Sequence, residues 1–344
     1  MTLPFASIVV PCRNEAAFIG DCLESIIANT YPKDRCEVLV VDGMSGDGTR
    51  AIVAGYAKRY GFIRLLDNPK GIAPAAFNIG ARAARGDVVL IMGAHATYDP
   101  EYIQLCVQSL LDSGADNVGG VLRTVARTGT LVGRTVALVL SHPFGVGNSV
   151  FRTGAGEPRW VDTVFGGCYR RDVFDRIGFW NEQLRYSQDI EFNRRLVRAG
   201  GRILLVPEIV TDYYARSSPG SFLRHNFRNG VWSVLPFRHS AAMPVQWRQL
   251  VPGLAVGAGL VLGLLSLASP VFGWGLLGLS GAYLVAALAA GAAIAWRERD
   301  WRYATLLPVA FAALHLAYGT GSVWGAGRVL LSTFSRTPST ASQE

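Results

Sequence analysis

A long stretch without charged side chains limits what this chain can fold into more than any other feature of its sequence. From Gln249 to Trp296 there are 48 consecutive residues without Asp, Glu, Lys or Arg, and they are rich in Gly, Ala and Leu. A second uncharged run extends from Ala304 to Gly327. A helix needs about 20 apolar residues to cross the hydrocarbon core of a bilayer. The first run is therefore long enough for two such helices and the second for one, which favours a membrane region over a buried hydrophobic subdomain.

The two runs predict a membrane region over residues 249–327, followed by a flexible tail at 328–344. The predicted helices are 250–269, 275–296 and 304–323, with a hairpin break at Pro270–Gly275. Arg238, Arg248 and the loop from Arg297 to Arg302 carry most of the positive charge near these helices. Because positive residues beside membrane helices are concentrated on the cytoplasmic side, the part of the chain before residue 249 is expected to lie in the cytoplasm.

The first two thirds of the chain alternate between short apolar runs and helical patterns. The strand-like runs are 7–11, 37–41, 62–66, 87–92 and 203–206, with 118–125 as a further candidate strand. The helical patterns are about 16–29, 47–60, 75–84 and 100–113. Strands that alternate with helices of this length are typical of right-handed βαβ units and a mostly parallel sheet. Residues 1–218 are thus predicted to form an α/β domain.

Polar residues follow the predicted strands. The first run ends at Pro11 and is followed by Arg13 and Glu15, the second ends at Asp42, and the fourth is followed by His95. The carboxyl ends of parallel strands meet at one edge of a sheet, where α/β proteins bind their ligands. We expect these side chains to form one site.

Residues 219–248 lead into the first uncharged run and have a different pattern. Apolar residues recur there at helical spacing, with basic residues interleaved. The apolar residues are Phe222, Leu223, Phe227, Val231 and Val234, and the basic ones are Arg224, His225, Arg228 and Arg238. A basic amphipathic helix next to a membrane region is typical of a helix that lies on the lipid surface, with a linker after it. An ordinary surface helix of the α/β domain is the alternative interpretation.

The order of these segments resembles that of the family 2 glycosyltransferases. The resemblance rests on Ser7-Ile8-Val9-Val10-Pro11, on Asp42 after the second strand, and on Gln188-Asp189 far downstream. Within the family the chain is similar to the bacterial exopolysaccharide transferases of the succinoglycan ExoA type, over about residues 5–330. The resemblance implies a GT-A fold, which is a Rossmann-like mixed sheet with helices, and an inverting transfer of sugar from a nucleotide donor.

The resemblance assigns one group of residues to the nucleotide sugar, for which a UDP-sugar is the expected form. The group is Pro11, Arg13, Glu15, Asp42, Lys70, Asn78, Gly93 and Ala94. Relatives have two adjacent Asp residues where this chain has Asp42-Gly43. Asp42 is therefore the expected contact with the base, with Glu15 beside it.

The expected metal site departs from the family pattern. Relatives end the fourth strand in Asp-x-Asp or Asp-x-His, whose last residue binds a divalent metal on the diphosphate, whereas this chain reads Gly93-Ala94-His95. His95 matches the metal ligand, and Gly93 replaces the first acid. Because Mg²⁺ prefers oxygen ligands, a single imidazole is a weak anchor for it. Either Mn²⁺ is favoured over Mg²⁺, or the diphosphate holds most of the metal, or the metal is dispensable.

The resemblance implies that Asp189 is the catalytic base, because relatives carry an acidic pair at the start of a helix where this chain has Gln188-Asp189. One carboxylate suffices for inverting transfer, in which the acceptor hydroxyl attacks the sugar directly. The expected acceptor and diphosphate side consists of Gly166, Gly167, Gln188, Arg224 and Arg228. Arg224 and Arg228 lie where processive relatives carry a longer motif that is absent here, which weighs against a polymerase.

These features lead to one main hypothesis and two alternatives. The chain is expected to be a multi-pass protein of the bacterial inner membrane that moves a sugar to a polyprenyl-diphosphate-linked oligosaccharide, alongside other polysaccharide-assembly proteins. The alternatives are a polyprenyl-phosphate monosaccharide synthase and a non-catalytic subunit that binds nucleotide or docks partner transferases. The net charge of +8 is attributed to anionic lipids and diphosphates, and no nucleic-acid partner is expected.

Overall fold

The computed structural model describes residues 3–126, 129–215, 218–238 and 246–334. The chain divides into two compact units, residues 1–129 with 140–215 and residues 130–139 with 216–344. Each unit is described by itself. Part of the predicted linker (239–245), part of the predicted tail (335–344) and residues 216–217 near the predicted domain boundary lie outside the described residues.

In the described part of the first unit, nine strands form one sheet. They are β1 (Ala6–Cys12), β2 (Cys36–Asp42), β3 (Ile63–Asp67), β4 (Val88–Ile91), β5 (Ala96–Tyr98), β6 (Asn117–Ala126), β7 (Arg159–Val161), β8 (Cys168–Arg170) and β9 (Ile203–Ala215). Their order is β3-β2-β1-β4-β8-β6-β9-β5, and β7 pairs with β9. The pairs β1–β2, β1–β4, β2–β3 and β6–β9 are parallel, whereas β8 is antiparallel to β4 and β6. The sheet is therefore mixed.

In the described part of the sequence, nine α-helices lie between these strands. They are α1 (Ile19–Ile27), α2 (Thr49–Arg59), α3 (Ala73–Ala83), α4 (Tyr102–Ser113), α5 (Leu131–Ser141), α6 (Pro143–Val146), α7 (Val150–Thr153), α8 (Asp172–Ile177) and α9 (Gln188–Arg198). Most of α5 belongs to the second unit. The alternation of strands and helices confirms the predicted α/β class.

Alternate residues of the central strands face opposite sides of the sheet. Ile8 and Val38 pack in the cluster that includes residues of α1, α2 and α4, and Val9 and Leu39 pack with residues of α3, α8 and α9. Burial on both faces explains why these strands are continuous apolar runs in the sequence. It also leaves their polar carboxyl ends as the exposed edge on which a site can form.

Three short strands were missed by the sequence pattern. The strands β5, β7 and β8 have three residues each, too few to show an alternating pattern. Each pairs antiparallel with a neighbour, so the sheet is less parallel than the βαβ spacing predicts. The strand predicted at 203–206 extends from Ile203 to Ala215, because it pairs in turn with β6, β7 and β5.

The second unit is helical. Its further helices are α10 (Pro219–Trp232), α11 (Trp247–Leu265), α12 (Pro270–Glu298) and α13 (Arg302–Phe334). Among the described residues three helices are long and apolar enough to cross a membrane, and they correspond to the three that the sequence predicts. The hairpin break lies before Pro270 and not after it, because proline is well accommodated in the first turn of a helix. The last helix continues beyond the predicted end at residue 323.

Candidate active site

The loops after β1 and β2 are joined into one rigid edge of the first unit. The Asn14 N–H donates to Ser45 Oγ (2.8 Å), and Asn14 Oδ1 accepts from the Gly46 N–H (3.0 Å). The Glu15 N–H donates to Thr49 Oγ1 (2.8 Å). Asn14 has a φ of 54°, in the left-handed region that Asn tolerates better than most residues. The backbone of Glu15 is therefore fixed by its own hydrogen bond and by those of Asn14.

Asp42 lies at the end of β2 and is fully buried. Its Oδ2 accepts from the Ser45 N–H and from Arg50 Nη1, both at 2.9 Å, and its Oδ1 accepts from Ser45 Oγ at 2.5 Å. Burial opposes ionisation, but the hydrogen bonds from Ser45 and Arg50 outweigh it, so the pKa of Asp42 is lowered. Asp42 is an ionised group with both oxygens hydrogen-bonded within the protein. A nucleotide base would have to share these oxygens with Ser45 and Arg50.

Arg13 extends from the end of β1 across the loop that follows β3. Its Nη1 donates to the Gly71 carbonyl oxygen at 2.8 Å. Gly71 has a φ of 61°, and a Cβ at this position would lie 2.7 Å from Arg13 Nη1. The glycine thus permits the close approach of the guanidinium. Pro11, within β1, is half-buried beneath this loop edge.

Lys70 and Asn78 converge on Glu182. Lys70 Nζ donates to Glu182 Oε2, and Asn78 Nδ2 donates to Glu182 Oε1 at 2.9 Å. These two hydrogen bonds, that of Lys70 first, lower the pKa of Glu182. Asn78 is also bonded to the backbone of Trp180 and is buried, whereas the Lys70 side chain is 65% exposed. Of the two, Lys70 keeps surface that a nucleotide could contact.

His95 follows β4 and lies beside Glu15. Its Nδ1 is 3.4 Å from Glu15 Oε1. Its ring is edge-on to Tyr213, with 5.1 Å between ring centroids, and to Phe18 at 6.4 Å. The structure therefore brings the predicted metal ligand together with one of the predicted nucleotide residues.

The donor set at this point is small. In the described part of the chain no group of three or more His, Cys, Asp or Glu side chains could hold a metal ion. Glu15 and His95 offer one oxygen and one nitrogen, which fits a divalent ion that takes its other ligands from a diphosphate and water. Ala94 is buried, and a Cβ at Gly93 would meet only Phe165 Cζ at 3.7 Å and Tyr98 Oη at 3.8 Å. Position 93 therefore has room for a Cβ, so a side chain can begin there without a clash.

Gly166 and Gly167 bring the segment before β8 against the end of β4. Their φ angles are 66° and 110°. The Gly167 carbonyl oxygen accepts from the Ile91 N–H at 3.0 Å, and a Cβ at Gly166 would lie 2.5 Å from the Ile91 carbonyl oxygen. Only glycine fits both the backbone angles and the approach.

The helix that carries Asp189 is anchored by a buried polar network. Asn193 Oδ1 accepts from Tyr169 Oη (3.2 Å) and from Asn117 Nδ2 (3.1 Å), and Asn193 Nδ2 donates to Thr163 Oγ1 (2.9 Å). These bonds join α9 to β6, β8 and Thr163, while Asn117 Oδ1 is without a partner in the described structure. The first turn of α9 is therefore fixed relative to β6 and β8.

Asp189 lies in that first turn and is half-buried. Burial raises the pKa of its carboxyl, and backbone hydrogen bonds from Ile190 and Asp189, together with the positive charge of Arg152, only partly oppose this. Ser187, just before the helix, has a φ of 59°. A raised pKa makes a carboxylate a stronger proton acceptor once it is ionised.

Arg152 on α7 was missed by the sequence reasoning. Its Cζ lies 5.6 Å from the centroid of the Tyr213 ring, the same ring that contacts His95. Burial lowers the pKa of Arg152, while Tyr213 and Asp189 oppose this change. Within the described structure Arg152 Nη1 and Gln188 Oε1 are buried without a hydrogen-bond partner. Among the seven such side-chain atoms of the described residues, these two belong to side chains near Asp189, because Gln188 precedes it and the charge of Arg152 acts on it.

The signals that could have found these residues are weak. Arg152 lies in a helix of four residues within a segment that has no clear periodicity. The aromatic pair Tyr213-Tyr214 was visible in the sequence but fell outside the predicted strand. The two remaining predicted residues, Arg224 and Arg228, lie on α10 in the second unit, where both side chains are exposed.

Comparison with known sequences assigns a family. A family model described as Glycosyl transferase family 2 matches residues 7–178. The succinoglycan biosynthesis protein ExoA of Rhizobium meliloti (strain 1021) is 31% identical over 323 residues, which cover 93% of this chain and 94% of ExoA. The glycosyltransferase AglE of Haloferax volcanii is 28% identical over 236 residues, which cover 68% of this chain and 74% of AglE.

Solved structures share the fold. The mannosyltransferase PcManGT of Pyrobaculum calidifontis, in complex with GDP-Man and Mn²⁺, has a TM-score of 0.59 and 22% identity, and the match covers 94% of this chain and 88% of that chain. S. aureus TarS 1–349 in complex with UDP-GlcNAc has a TM-score of 0.51 and 17% identity, over 94% and 92% of the two chains. The predicted GT-A fold, with its mixed sheet and helices, is confirmed.

Proposed function

Because this chain belongs to glycosyl transferase family 2 and is a glycosyltransferase, we propose that it transfers one sugar, with inversion, from a nucleotide-sugar donor to a lipid-linked glycan. The observation that carries the proposal is the setting of Asp189. Its carboxyl has a raised pKa, it begins an anchored helix, and it lies close to Arg152, whose Nη1 is buried without a hydrogen-bond partner in the described structure.

The donor is proposed to bind along the edge formed by the loops after β1, β2 and β3. An ionised carboxylate at Asp42 can accept from an N–H of the base, and the exposed Lys70 ammonium can approach a phosphate. We propose a UDP-sugar as the donor. Guanine also offers N–H donors, and PcManGT is a relative in fold whose structure contains GDP-Man, so a guanine nucleotide sugar is the comparison to test.

The chemistry proposed for Asp189 is removal of one proton. As the acceptor hydroxyl oxygen forms its bond to the anomeric carbon, Asp189 takes the hydroxyl proton, and the bond from that carbon to the donor diphosphate breaks. The electron pair leaves with the diphosphate oxygen. A base whose pKa is closer to the working pH accepts the proton more effectively, which is what burial of Asp189 provides.

The leaving diphosphate needs positive charge around it. Arg152 is the side chain of the first unit that we propose to donate to its oxygens, because Nη1 is buried and lacks a partner in the described structure. When a divalent ion is bound with the diphosphate, Glu15 and His95 would be its protein ligands, and the ion would neutralise part of the leaving charge. The guanidinium would add fixed charge, which does not depend on the metal.

The acceptor and the location follow from the second unit and from the relatives. In the part of the chain that the structure describes, three helices are long and apolar enough to cross a membrane, and a relative over nearly the whole chain is a succinoglycan biosynthesis protein. We propose that the chain acts in exopolysaccharide or cell-surface glycan synthesis at the bacterial inner membrane. The catalytic domain is proposed to face the cytoplasm and the acceptor to be linked to a polyprenyl diphosphate.

A donor screen on the purified full-length protein tests the proposal. Nucleotide release and product mass are measured with UDP-sugars and GDP-sugars, each with and without a polyprenyl-diphosphate-linked sugar, over a range of Mn²⁺ and Mg²⁺. An extended lipid-linked saccharide supports the proposal. An acid-labile lipid monosaccharide, made from polyprenyl phosphate, would support the alternative synthase. Absence of turnover with every donor and metal concentration would contradict a catalytic role.

A further inference from the structure

The second unit contains a junction between α10 and α13 that depends on glycine. On α10, a Cβ at Gly230 would overlap the carbonyl oxygen of Tyr318, and on α13 a Cβ at Gly321 would overlap the carbonyl oxygen of Phe227. Small residues at such positions allow helix backbones to approach closely. The α10 helix is therefore packed along α13, and its predicted place on a lipid surface is limited to the side that α13 leaves exposed.

A groove lies along this junction, with a volume of about 580 Å³. We call it the α10–α13 groove. It is lined by Leu223, Arg224, Phe227, Arg228, Val231, Trp232, Ala317, Trp324 and Arg328. Six of these nine residues are apolar or aromatic, and three are arginines. Leu223, Phe227 and Trp324 are 42%, 39% and 61% exposed, so a substantial apolar surface remains open.

The charge of the groove has one sign. The sequences of α10 and α13 contain no Asp or Glu, and no acidic residue occurs anywhere between Asp212 and Glu298. The charged side chains that line the groove, Arg224, Arg228 and Arg328, are therefore all positive. Arginines in such a setting suit a phosphate, because the guanidinium presents paired N–H donors that match phosphate oxygens.

The combination of features favours one kind of occupant. An apolar helix from a protein partner would not need three cations, and inorganic phosphate would not need the aromatic lining. A lipid with a phosphate at its end matches both, and α13 is one of the helices long and apolar enough to cross a membrane. We propose that the α10–α13 groove binds the phosphate-bearing end of the lipid carrier, with arginines on the phosphate and the first chain units against Phe227 and Trp324. This inference rests on the proposed function, since it names the binding place of that acceptor's lipid.

The test measures binding to the full-length protein in neutral detergent by quenching of tryptophan fluorescence. The probes are farnesyl phosphate, the matching alcohol farnesol, and inorganic diphosphate. We expect farnesyl phosphate to bind at least tenfold more tightly than either of the others. The double variant Arg224→Gln with Arg328→Gln should lose at least tenfold in affinity for farnesyl phosphate and little for farnesol, and Trp324→Ala should weaken the binding of both lipids.

Two controls keep the result interpretable. Arg299→Gln removes one positive charge from the loop before α13 and should leave binding unchanged. Arg224→Lys with Arg328→Lys should lose less affinity than the glutamine pair, because the charges stay while the paired N–H donors are lost. Thermal unfolding checks that each variant is folded. Equal binding of farnesyl phosphate and farnesol, unchanged binding in the glutamine double variant, or equally tight binding of inorganic diphosphate would each overturn the proposal.

The outcome also separates this inference from the proposed function. If farnesyl phosphate binds as expected but no donor yields a glycosylated lipid, the groove stands and the proposed function fails. If sugar transfer proceeds and the glutamine double variant leaves the KM for the lipid acceptor unchanged, the function stands and the groove is not the carrier site.

Discussion

Asp42 and Asp189 both lie in the first unit at positions that the sequence marks as functional, yet their surroundings are opposite. Asp42 is fully buried, with hydrogen bonds from Ser45 and Arg50, and its pKa is lowered. Asp189 has a raised pKa, and beside it the structure leaves Arg152 Nη1 and Gln188 Oε1 buried without partners in the described residues. The Asp42 carboxylate is hydrogen-bonded by the side chains and backbone around it, whereas near Asp189 the atoms that lack partners belong to two neighbouring side chains.

The difference between the two carboxylates suggests a different role for each. A satisfied carboxylate stabilises the loop around it and changes little when a ligand arrives. Buried polar atoms without partners, such as Arg152 Nη1 and Gln188 Oε1 in the described structure, cost free energy in the empty protein. Proteins retain such a cost at places where a bound ligand supplies the missing partners. The Asp42 side is therefore expected to position the nucleotide, and the Asp189 side to take part in the reaction.

The largest expected effect comes from Asp189→Asn. Removing a general base typically lowers the rate by about 10²–10⁴-fold, and the affinity for the nucleotide should stay within a few-fold because the carboxylate is assigned to proton removal. Turnover and nucleotide binding are measured on the same preparation. Asp175→Asn, an exposed substitution on α8, is the matched control. Near-normal turnover in Asp189→Asn would show that Asp189 is not the general base. The proposed difference in role between Asp189 and Asp42 would then be wrong.

The next largest effect is expected for Arg152→Gln. Loss of one fixed donor to a developing negative charge typically costs about 10²–10³-fold in kcat. The loss should fall mainly on kcat, and Arg152→Lys should recover part of it because the charge remains. Arg159→Gln, an exposed arginine on β7, is the control. If Arg152→Gln changes only the melting temperature and not kcat, then Arg152 serves the fold and the unsatisfied Nη1 has no role in catalysis.

The same substitution should affect stability in opposite directions at the two carboxylates. Asp42→Asn removes the charged acceptor of Arg50, a loss of about 1.5–3 kcal/mol for hydrogen bonds to a charged group, and the lower end is expected because the Arg50 side chain is 35% exposed. Asp189→Asn should keep or raise the melting temperature at neutral pH, since the ionised form is disfavoured there. Asp67→Asn, at the other partner of Arg50, is 62% exposed and should cost less than about 0.5 kcal/mol.

The pH dependence of these differences has a definite sign. The lowered pKa of Asp42 contributes stability above the unfolded value of about 3.9, and this contribution is lost as the pH falls through the lower folded value. The raised pKa of Asp189 contributes stability below about 3.9, and this is lost as the pH rises through the higher folded value. Lowering the pH from 7 towards 4 should thus reduce the difference in melting temperature between Asp189→Asn and wild type. The difference between Asp42→Asn and wild type should remain. If thermal unfolding instead showed that the difference for Asp42→Asn shrinks and that for Asp189→Asn remains, the directions of the two pKa shifts would be reversed.

Much of the first unit could be predicted because its central strands are buried on both faces. Such strands give apolar runs that end abruptly, so β1, β2 and β4 and the polar residues after them are visible in the sequence. Asp189 is visible because a resemblance in sequence order extends to it. The roles of the predicted nucleotide and acceptor residues remain predictions, although the structure brings Glu15 and His95 within 3.4 Å.

Other features could not be predicted from the sequence, mostly because they depend on contacts between segments that are distant in the chain. Arg152 acquires its meaning only from the ring of Tyr213 and the carboxyl of Asp189, which lie far from it in the chain. The α10–α13 groove exists because Gly230 and Gly321 meet, and neither glycine predicts its partner. The short strand β8 is too brief for any periodic signal.

The smallest effect is expected at position 93, where the sequence departs from the expected family pattern. If Glu15 and His95 are the protein ligands, the wild type should need divalent ion on the order of millimolar and prefer Mn²⁺ over Mg²⁺, because imidazole suits Mn²⁺ better than it suits Mg²⁺. Gly93→Asp adds a hard oxygen ligand where the structure has space, so the concentration of Mg²⁺ for half-maximal activity should fall several-fold. Gly93→Asn, of the same size without the charge, separates ligation from packing. A metal titration of these variants and of His95→Ala decides the point. Full wild-type activity in EDTA, unchanged by His95→Ala, would show that Arg152 and other cationic side chains neutralise the diphosphate without a metal. The difference between the surroundings of Asp42 and Asp189 would then depend on protein charges alone.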